Sequence, residues 1–249
     1  MNKIRLVLID VDGCLTEGEA RPWDFEVLEF VAALNRRARV DATQFAVTLC
    51  TGRQEPYVEV FMQAIAGFLP AIYENGGGLF FPSPYHFAES PAIDEKWREL
   101  LSVLRRILRR TVVEAGIGQF QPGKETCITL FPARPEISLD EVLAHTQRAL
   151  GGQLDDVVLR GSASSVEILK PGIDKGTGLE WLSRETGIPL HEMAGIGDSE
   201  VDLPFLRKIQ YAAAPANATA AVRAAVHYVS PYKAGRGVME ILQRIGTIS

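Results

Sequence analysis

Apolar residues recur along the chain in two alternating patterns. Short, almost continuously apolar runs are typical of buried strands in a parallel sheet, and longer stretches with apolar positions three and four apart indicate amphipathic helices. The first predicted elements are strands over 4–9 and 45–50, a helix over 25–37, and a second helix that begins at Pro56. The order strand, helix, strand, helix predicts a parallel sheet with helices packed on its faces.

The pattern changes after a short apolar run at 71–73. A glycine-rich bend at 74–78 leads into a stretch that three prolines interrupt. The elements predicted beyond it are helices over 94–110 and 138–150 and strands over 126–131, 157–160 and 165–169. This mixture predicts an inserted α+β unit, large enough for a small domain. We expect it to be a mobile lid with hinges near 76–78 and 171–172.

Beyond Pro171 the α/β alternation returns. The predicted elements are helices over 175–186, 201–206, 218–225 and 237–245 and strands over 193–196 and 211–213. The fold class is therefore predicted to be α/β. Residues 1–80 and 171–249 would form a Rossmann-like parallel-sheet core, and residues 81–170 an inserted α+β cap domain.

Composition excludes several classes of protein. The 249 residues are 47% hydrophobic and carry a net charge of −5, whereas nucleic-acid binding needs a basic field, so no nucleic-acid partner is expected. No stretch approaches the ~20 apolar residues of a membrane span, and the apolar run at the start is too short for a signal peptide. We expect a cytoplasmic monomer or homodimer without a membrane partner. The three cysteines are too few and too scattered for a disulfide framework.

The first predicted strand ends at Asp10 and Asp12. In open parallel sheets the ligand crevice lies beyond the carboxyl ends of the strands, and two residues separated by one position in extended backbone point to the same side. Two close carboxylates raise each other's pKa unless a cation lies between them, so the pair implies a shared proton or a bound Mg²⁺. Gly13 leaves room for a group to approach the backbone amides. The alternative is a simple turn, since Asp and Gly are common turn residues.

Three further polar clusters stand at the ends or starts of predicted core elements: Thr51 with Gly52, Lys175, and Asp198 with Asp202. Strand ends of an open parallel sheet converge on one crevice, so these clusters can meet the first aspartates there. Carboxylates suit a nucleophile and Mg²⁺, a hydroxyl with backbone amides suits phosphate oxygens, and an ammonium suits the same anion. The combination predicts a phosphoryl-transfer site.

Four motifs resemble, in the same order, those of the haloacid dehalogenase superfamily: DVDGCLT at 10–16, TGR at 51–53, DKGTGL at 174–179 and GDSEVD at 197–202. A cap inserted between the second and third motifs resembles the subgroup of Mg²⁺-dependent sugar and small-metabolite phosphatases, which also includes phosphoglycolate phosphatases and phosphomannomutase. The stretch 166–182 is most similar to its sugar-phosphate members, such as trehalose-phosphate, sucrose-phosphate and mannosylphosphoglycerate phosphatases. Two residues depart from the family pattern: Cys14 replaces the usual Thr or Val, and Val201 replaces the Asn of many relatives.

The resemblance implies a role for each motif. Asp10 would attack phosphorus, and Asp12 would protonate the leaving oxygen and then activate water. Thr51 and Lys175 would hold the transferring phosphoryl group and neutralise its charge. The implied substrate-binding set is Gly13, Thr51, Gly52, Arg53, Lys175 and, beside the predicted crevice, Asn75. Mg²⁺ would be held by Asp10, the backbone carbonyl of Asp12, Asp198, and Asp202, either directly or through a hydrogen bond.

The predicted function is a Mg²⁺-dependent phosphatase of a small phosphorylated metabolite, with a sugar phosphate as the expected substrate. A phosphomutase or phosphotransferase differs only in what accepts the phosphoryl group, and a catalytically idle binding protein is a third alternative. The intact set of Asp10, Asp12, Lys175 and Asp198 argues against the last. A hydrolytic dehalogenase is disfavoured because it would give Asp12 no ester oxygen to protonate.

Overall fold

A computed structural model describes residues 3–162 and 164–248. The chain forms two compact units, Met1–Ala88 with Asp174–Ser249, and Glu89–Ile173. The predicted fold class is confirmed: a parallel sheet with flanking helices is accompanied by antiparallel sheets. Within the described ranges, no helix is both long enough and apolar enough to span a membrane.

The elements follow one another along the chain in three groups. The first comprises β1 (Leu6–Ile9), α1 (Phe25–Val40), β2 (Ala46–Leu49), α2 (Glu55–Ala64), β3 (Ala71–Tyr73), β4 (Gly78–Pro82) and β5 (Tyr85–Glu89). The second comprises α3 (Glu95–Leu108), β6 (Gly118–Phe120), β7 (Ile128–Pro132), α4 (Leu139–Leu150), β8 (Val158–Gly161) and β9 (Val166–Leu169). The third comprises α5 (Lys175–Thr186), β10 (Met193–Ile196), α6 (Leu203–Leu206), β11 (Tyr211–Ala214), α7 (Ala220–Ala225), β12 (Tyr228–Val229) and α8 (Ala234–Ile248).

The first unit is built on a parallel five-stranded sheet in the order β12-β11-β10-β1-β2. Strand β1 lies between two neighbours, and all four of its residues are buried. Val7 and Ile9 join one apolar cluster with α1 and α8, whereas Leu6 and Leu8 join a second cluster with α5 and α6. Because successive side chains of a strand point to opposite faces, a strand covered on both faces must be apolar throughout.

A second sheet of the first unit has the order β3-β4-β5 and includes a hairpin that the sequence analysis does not predict. Prolines argue against strands, but here Pro82 ends β4 and Pro84 lies in the turn before β5, where no ladder hydrogen bond is required of them. Residues 81–88, which the predicted domain boundaries assign to the cap, therefore lie in the first unit.

Other elements differ from prediction in extent or type. The predicted helix over 201–206 is a 3₁₀ turn (Glu200–Asp202) followed by α6, because Pro204 begins a new helical turn there. Strands β6 and β12 are too short to produce a periodic signal. The helix predicted over 94–110 ends as α3 and continues into a π-helical turn, Arg109–Val113.

The second unit has a four-stranded antiparallel sheet in the order β6-β7-β9-β8. Helices α3 and α4 cover one face of it, with an apolar cluster that includes Trp97, Leu104 and Val142 from the helices and Leu130 and Ile168 from the sheet. Asp94 and Ser138 cap the two helices by accepting backbone hydrogen bonds.

Candidate active site

The first, second and fourth motifs follow three adjacent parallel strands. Asp10 follows β1, the segment Thr51–Arg53 follows β2, and Asp198 follows β10. Since β1 pairs in parallel with both β2 and β10, all three strand ends lie at one edge of the sheet. Lys175 is the first residue of α5. This edge of the first unit is therefore where the predicted residues meet.

Lys175 connects the first and last motifs. Its side chain is 1% exposed, and its Nζ lies 2.9 Å from Oδ1 of Asp10 and 2.5 Å from Oδ1 of Asp202. The helix start is fixed by Asp174, which accepts a hydrogen bond from the backbone N–H of Thr177 in a capping box. The ammonium is thus held between two buried carboxylates.

Asp202 organises the loop that carries Asp198. Its Oδ2 accepts hydrogen bonds from the backbone N–H groups of Asp198 (2.9 Å) and Ser199 (3.1 Å), while its other oxygen binds Lys175. Asp202 is fully buried, so both of its oxygens need such partners. Asp202 therefore holds Asp198 and the ammonium in fixed relative positions.

Burial and charge shift the pKa values of this group. Burial raises the pKa of Asp10 well above its usual range, against the effect of the Lys175 charge. Burial, followed by the negative charge of Asp202, raises the pKa of Asp198 to about 7. Burial opposes the charged form of Lys175, but the two carboxylates outweigh it and raise the pKa of the ammonium. Lys175 therefore stays charged at neutral pH.

The carboxylates fit a hard divalent cation. Asp10, Asp198 and Asp202 each offer an oxygen, and these oxygens all lie within 4.8 Å of one another. When the four predicted aspartates of the site are ionised, Lys175 and Arg53 leave two negative charges in excess. An all-oxygen donor set with this charge suits Mg²⁺.

Asp12 forms a two-point ion pair with Arg53. The guanidinium donates from Nε to Oδ2 at 2.6 Å and from Nη2 to Oδ1 at 2.7 Å, and it also lies over the ring of Tyr57 at 4.7 Å. Burial lowers the pKa of Arg53, but the hydrogen-bonded Asp12 more than offsets this and raises it. The resemblance implies that Arg53 binds substrate, whereas in this structure its direct partner is the predicted proton donor.

Thr51, Gly52 and Asn75, three of the predicted substrate-binding residues, lie together. Thr51 is buried, its Oγ1 accepts a hydrogen bond from the backbone N–H of Arg53 at 3.1 Å, and its carbonyl accepts one from the backbone N–H of Asn75. A Cβ on Gly52 would lie 3.1 Å from the amide atoms of Asn75. The buried bend at Asn75 therefore supports the Thr51 loop. The residues of the predicted hinge, 76–78, lie inside the first unit, because the hairpin β4–β5 that follows them belongs to it up to Ala88.

Gly13 has a conformation and a position that only glycine tolerates. Its φ is +85°, and a Cβ there would lie 2.2 Å from Oδ2 of Asp198. Its backbone N–H donates to the carbonyl of Thr16 at 2.9 Å. The nucleophile loop thus lies directly against the carboxylate of the fourth motif.

Asn217, which none of the four motifs includes, also belongs to this site. Its Nδ2 donates to the carbonyl of Gly13 at 2.8 Å, and its Oδ1 accepts from the backbone N–H of Ala234 at 2.7 Å. A positional signal exists, because Asn217 follows β11, a further parallel strand that ends at the same sheet edge.

Comparison with known proteins identifies the class of this chain. Residues 112–242 match the model of the haloacid dehalogenase-like hydrolase family. A phosphoglycolate phosphatase of Methanothermobacter thermautotrophicus is 34% identical over 244 residues, covering 97% of this chain and 98% of that protein. A phosphoglycolate phosphatase of Nitrosopumilus maritimus is 26% identical over 250 residues, covering 99% of this chain and 98% of that protein.

A solved structure of a haloacid dehalogenase-like hydrolase from Bacteroides thetaiotaomicron shares the fold, with a TM-score of 0.76 at 15% identity over 98% of this chain and 100% of that one. The chain therefore belongs to the haloacid dehalogenase-like hydrolases, as its motifs predict. The prediction of a hydrolase is confirmed, and the names of both relatives agree with its assignment as a phosphoric monoester hydrolase.

The raised pKa of Asp198 predicts how the stability of the metal-free protein depends on pH. The pKa is about 7 in the folded state against an ordinary value of 3.8, so the folded state binds this proton more tightly than the unfolded chain. The contribution of Asp198 to stability is therefore fully present below about pH 4 and is lost as pH rises through about 7. We expect Asp198→Asn to raise the melting temperature in EDTA at pH 8 but not at pH 4.

Thermal melts between pH 4 and 8, with EDTA or Mg²⁺, test this expectation. Mg²⁺ should raise the wild-type melting temperature more at pH 8 than at pH 6, because at pH 6 it must displace the proton. Asp41→Asn is the control. Hydrogen bonds from Thr43 lower the pKa of the Asp41 carboxyl below its ordinary value of 3.8, so its titration lies below the range of the melts. An unchanged pH dependence in Asp198→Asn would contradict the assigned protonation.

Proposed function

We propose that this protein is a Mg²⁺-dependent phosphatase that hydrolyses a small phosphorylated metabolite through a phosphorylated Asp10. The main support is the buried ammonium of Lys175, which lies 2.9 Å from Oδ1 of Asp10. A cation so close to the carboxylate can stabilise negative charge on a phosphoryl group that Asp10 attacks. The next strand end supplies Thr51 and the Gly52 backbone for the other phosphoryl oxygens.

The proposed chemistry uses two aspartates in two steps. An oxygen of Asp10 attacks phosphorus while the bond from phosphorus to the leaving oxygen breaks, and Asp12 gives that oxygen a proton. Asp12 then accepts a proton from water, which attacks the phosphoryl group and breaks its bond to Asp10. The products are the alcohol and inorganic phosphate, and Asp10 is regenerated.

A metal ion would complete the charge balance of this site. We propose that Asp10, Asp198 and the backbone carbonyl of Asp12 would hold Mg²⁺, with Asp202 as a ligand or as a hydrogen-bond partner of the loop. When bound, Mg²⁺ would neutralise charge on the phosphoryl group. Arg53 holds both oxygens of Asp12, so Asp12 must exchange this pair for the leaving oxygen before it can transfer a proton.

The substrate class has two sources of support. The relatives are named phosphoglycolate phosphatases, and residues 166–182 resemble those of sugar phosphatases. We propose a small phosphorylated metabolite, with 2-phosphoglycolate and hexose phosphates as the first compounds to test. A phosphomutase or phosphotransferase remains the alternative, while the cytoplasmic location and the monomeric or homodimeric state remain predictions.

A phosphate-release screen tests the proposal. Purified protein is incubated with a panel of phosphorylated metabolites and an aryl phosphate, with Mg²⁺ or EDTA. We expect phosphate release with Mg²⁺ and at least about a hundredfold less with EDTA. Isomerised or transphosphorylated products without phosphate release would favour the mutase or transferase, and no turnover of any compound would contradict the proposal.

Asp12→Asn should separate the two proposed steps. The variant retains Asp10 and Lys175 but cannot donate a proton, so it should lose steady-state turnover of an alkyl phosphate by at least about a hundredfold. An activated aryl phosphate needs no proton donor, so the variant should accumulate phosphorylated Asp10. Intact mass after rapid quench measures this species. Its absence would contradict the assigned roles, and wild-type protein quenched under identical conditions is the control.

A further inference from the structure

Segment 216–219 contacts the turn that follows Asp12 and the loop that carries the proposed metal ligand Asp198. Asn217 donates from its side chain to the carbonyl of Gly13, and the backbone N–H of Thr219 donates to the carbonyl of Asp198 at 2.8 Å. The start of α8 is joined to the same segment, because the N–H of Ala234 donates to the Asn217 side chain. Two loops that are far apart in the sequence thus share one support.

The contact with Gly13 acts on a loop that is held from several directions. The N–H of Gly13 donates to Thr16, and in a trans peptide the carbonyl of Asp12 must then point the opposite way. The next peptide is held at its oxygen by Asn217 and, more weakly, at its nitrogen by Val11, to whose carbonyl the N–H of Cys14 donates at 3.3 Å.

Asn217 supplies a side-chain hydrogen bond to this turn from a distant part of the chain. Gly13 has no side chain and a left-handed φ of +85°. The orientation of its two peptide groups therefore depends on these hydrogen bonds. Gly13 lies directly against the Asp198 carboxylate, since a Cβ at this position would approach Oδ2 to 2.2 Å. Asn217 therefore holds the part of the turn that packs against the Asp198 loop.

We infer that Asn217 is a positioning residue, which fixes the Asp12–Gly13 turn against the Asp198 loop and so sets the spacing of the metal-binding oxygens. The inference rests on the proposed function. In this role Asn217 contacts neither substrate nor metal. It acts by orienting the two peptide groups that flank Gly13.

Asn217→Asp is the sharpest test. The carboxylate keeps the size of the side chain and still accepts from Ala234, but it cannot donate to the carbonyl of Gly13. Ser183→Ala is the matched control, because it also removes one side-chain hydrogen bond to a backbone carbonyl, from Ser183 Oγ to Ile188 at 2.7 Å, outside the site. Two quantities are measured for each: the Mg²⁺ concentration needed for a fixed rise in melting temperature above its value in EDTA, and kcat with an aryl phosphate.

We expect Asn217→Asp to raise the Mg²⁺ concentration needed for that rise and to lower kcat, each by about tenfold or more. Ser183→Ala should change neither, even if its melting temperature in EDTA falls equally. A variant that lost only thermal stability, with Mg²⁺ response and kcat within about twofold of wild type, would overturn the inference. Asn217→Ala, which introduces no charge, is measured in parallel and should show the same loss of Mg²⁺ response if Asn217→Asp does not fold.

The Mg²⁺ titration separates this inference from the proposed function. If the wild-type protein hydrolyses no phosphomonoester, the proposed function fails, but the melting-temperature response to Mg²⁺ still reports on the spacing of the carboxylates. If the melting temperature of Asn217→Asp responds to Mg²⁺ as that of the wild type does, the positioning role is overturned, whether or not a substrate is found.

Discussion

Asp10→Asn is expected to reduce turnover by at least about a thousandfold while the protein remains folded. An amide oxygen is too weak a nucleophile to attack phosphorus, and the neutral side chain removes a negative charge from the set that fits Mg²⁺. The fold should tolerate the change, because burial already disfavours the charged form of Asp10 and Lys175 keeps its contact with Asp202. Phosphate release with Mg²⁺ and the melting temperature in EDTA are measured together.

Asp24→Asn provides the matched control for this substitution. Asp24 caps α1 by accepting from the backbone N–H groups of Glu26 and Val27, and asparagine serves equally well as a cap. This variant should retain wild-type turnover. If Asp10→Asn kept more than about a hundredth of the wild-type rate with Mg²⁺ bound, a covalent intermediate on Asp10 would be ruled out.

The sequence predicts best the elements whose signals are local. Strand β10 has the predicted bounds because a buried parallel strand is a continuous apolar run between polar residues. Helix α5 also has its predicted bounds, because Asp174 caps its start and Gly187, in the left-handed conformation, ends it. The rule that parallel strand ends converge predicts that the four motifs meet at one sheet edge, and this rule needs only the order of the elements.

The contacts that the sequence does not predict join residues far apart in the chain. Arg53 and Asp12 are separated by 41 positions, and Asn217 and Gly13 by 204. No periodicity or spacing encodes such a pair, since its geometry depends on how two loops pack after the sheet has formed. The motif TGR indicates an anion-binding loop, but it does not reveal that the guanidinium pairs with a carboxylate of the protein itself.

The hairpin β4–β5 is missed for a different reason. Its prolines are unfavourable in a central strand but not at a strand end or in a turn, and a single sequence does not distinguish these places. The predicted domain boundary after residue 80 differs from the observed one for the same reason. Residues 81–88 belong to this hairpin and so to the first unit. The catalytic residues are unaffected, since they follow β1 and β2 or begin α5 and so lie outside residues 81–88.

Lys175→Met is expected to have the largest effect on stability and to reduce turnover as well. The substitution removes the cation between Asp10 and Asp202 and leaves two carboxylates buried without it, which costs about 3 kcal/mol or more of unfolding free energy at pH 8. The loss should be smaller at pH 5, because burial raises the pKa of Asp10 and the ammonium that opposes this shift is gone, so Asp10 binds a proton more tightly in the folded state than in the unfolded chain. Turnover should fall by at least about a hundredfold, since the methionine side chain carries no charge to stabilise the phosphoryl group beside Asp10.

Denaturant unfolding at both pH values and phosphate release measure these effects, with Lys208→Met as the matched control. Lys208 pairs with Glu180 at the surface and is one-third exposed, so its loss should change the unfolding free energy by less than about 1 kcal/mol and leave turnover intact. If Lys175→Met does not fold, the double variant Asp10→Asn/Lys175→Met should recover stability, because it removes a buried negative charge together with the ammonium. Equal effects of Lys175→Met and Lys208→Met would show that the buried ammonium neither stabilises this site nor serves its chemistry.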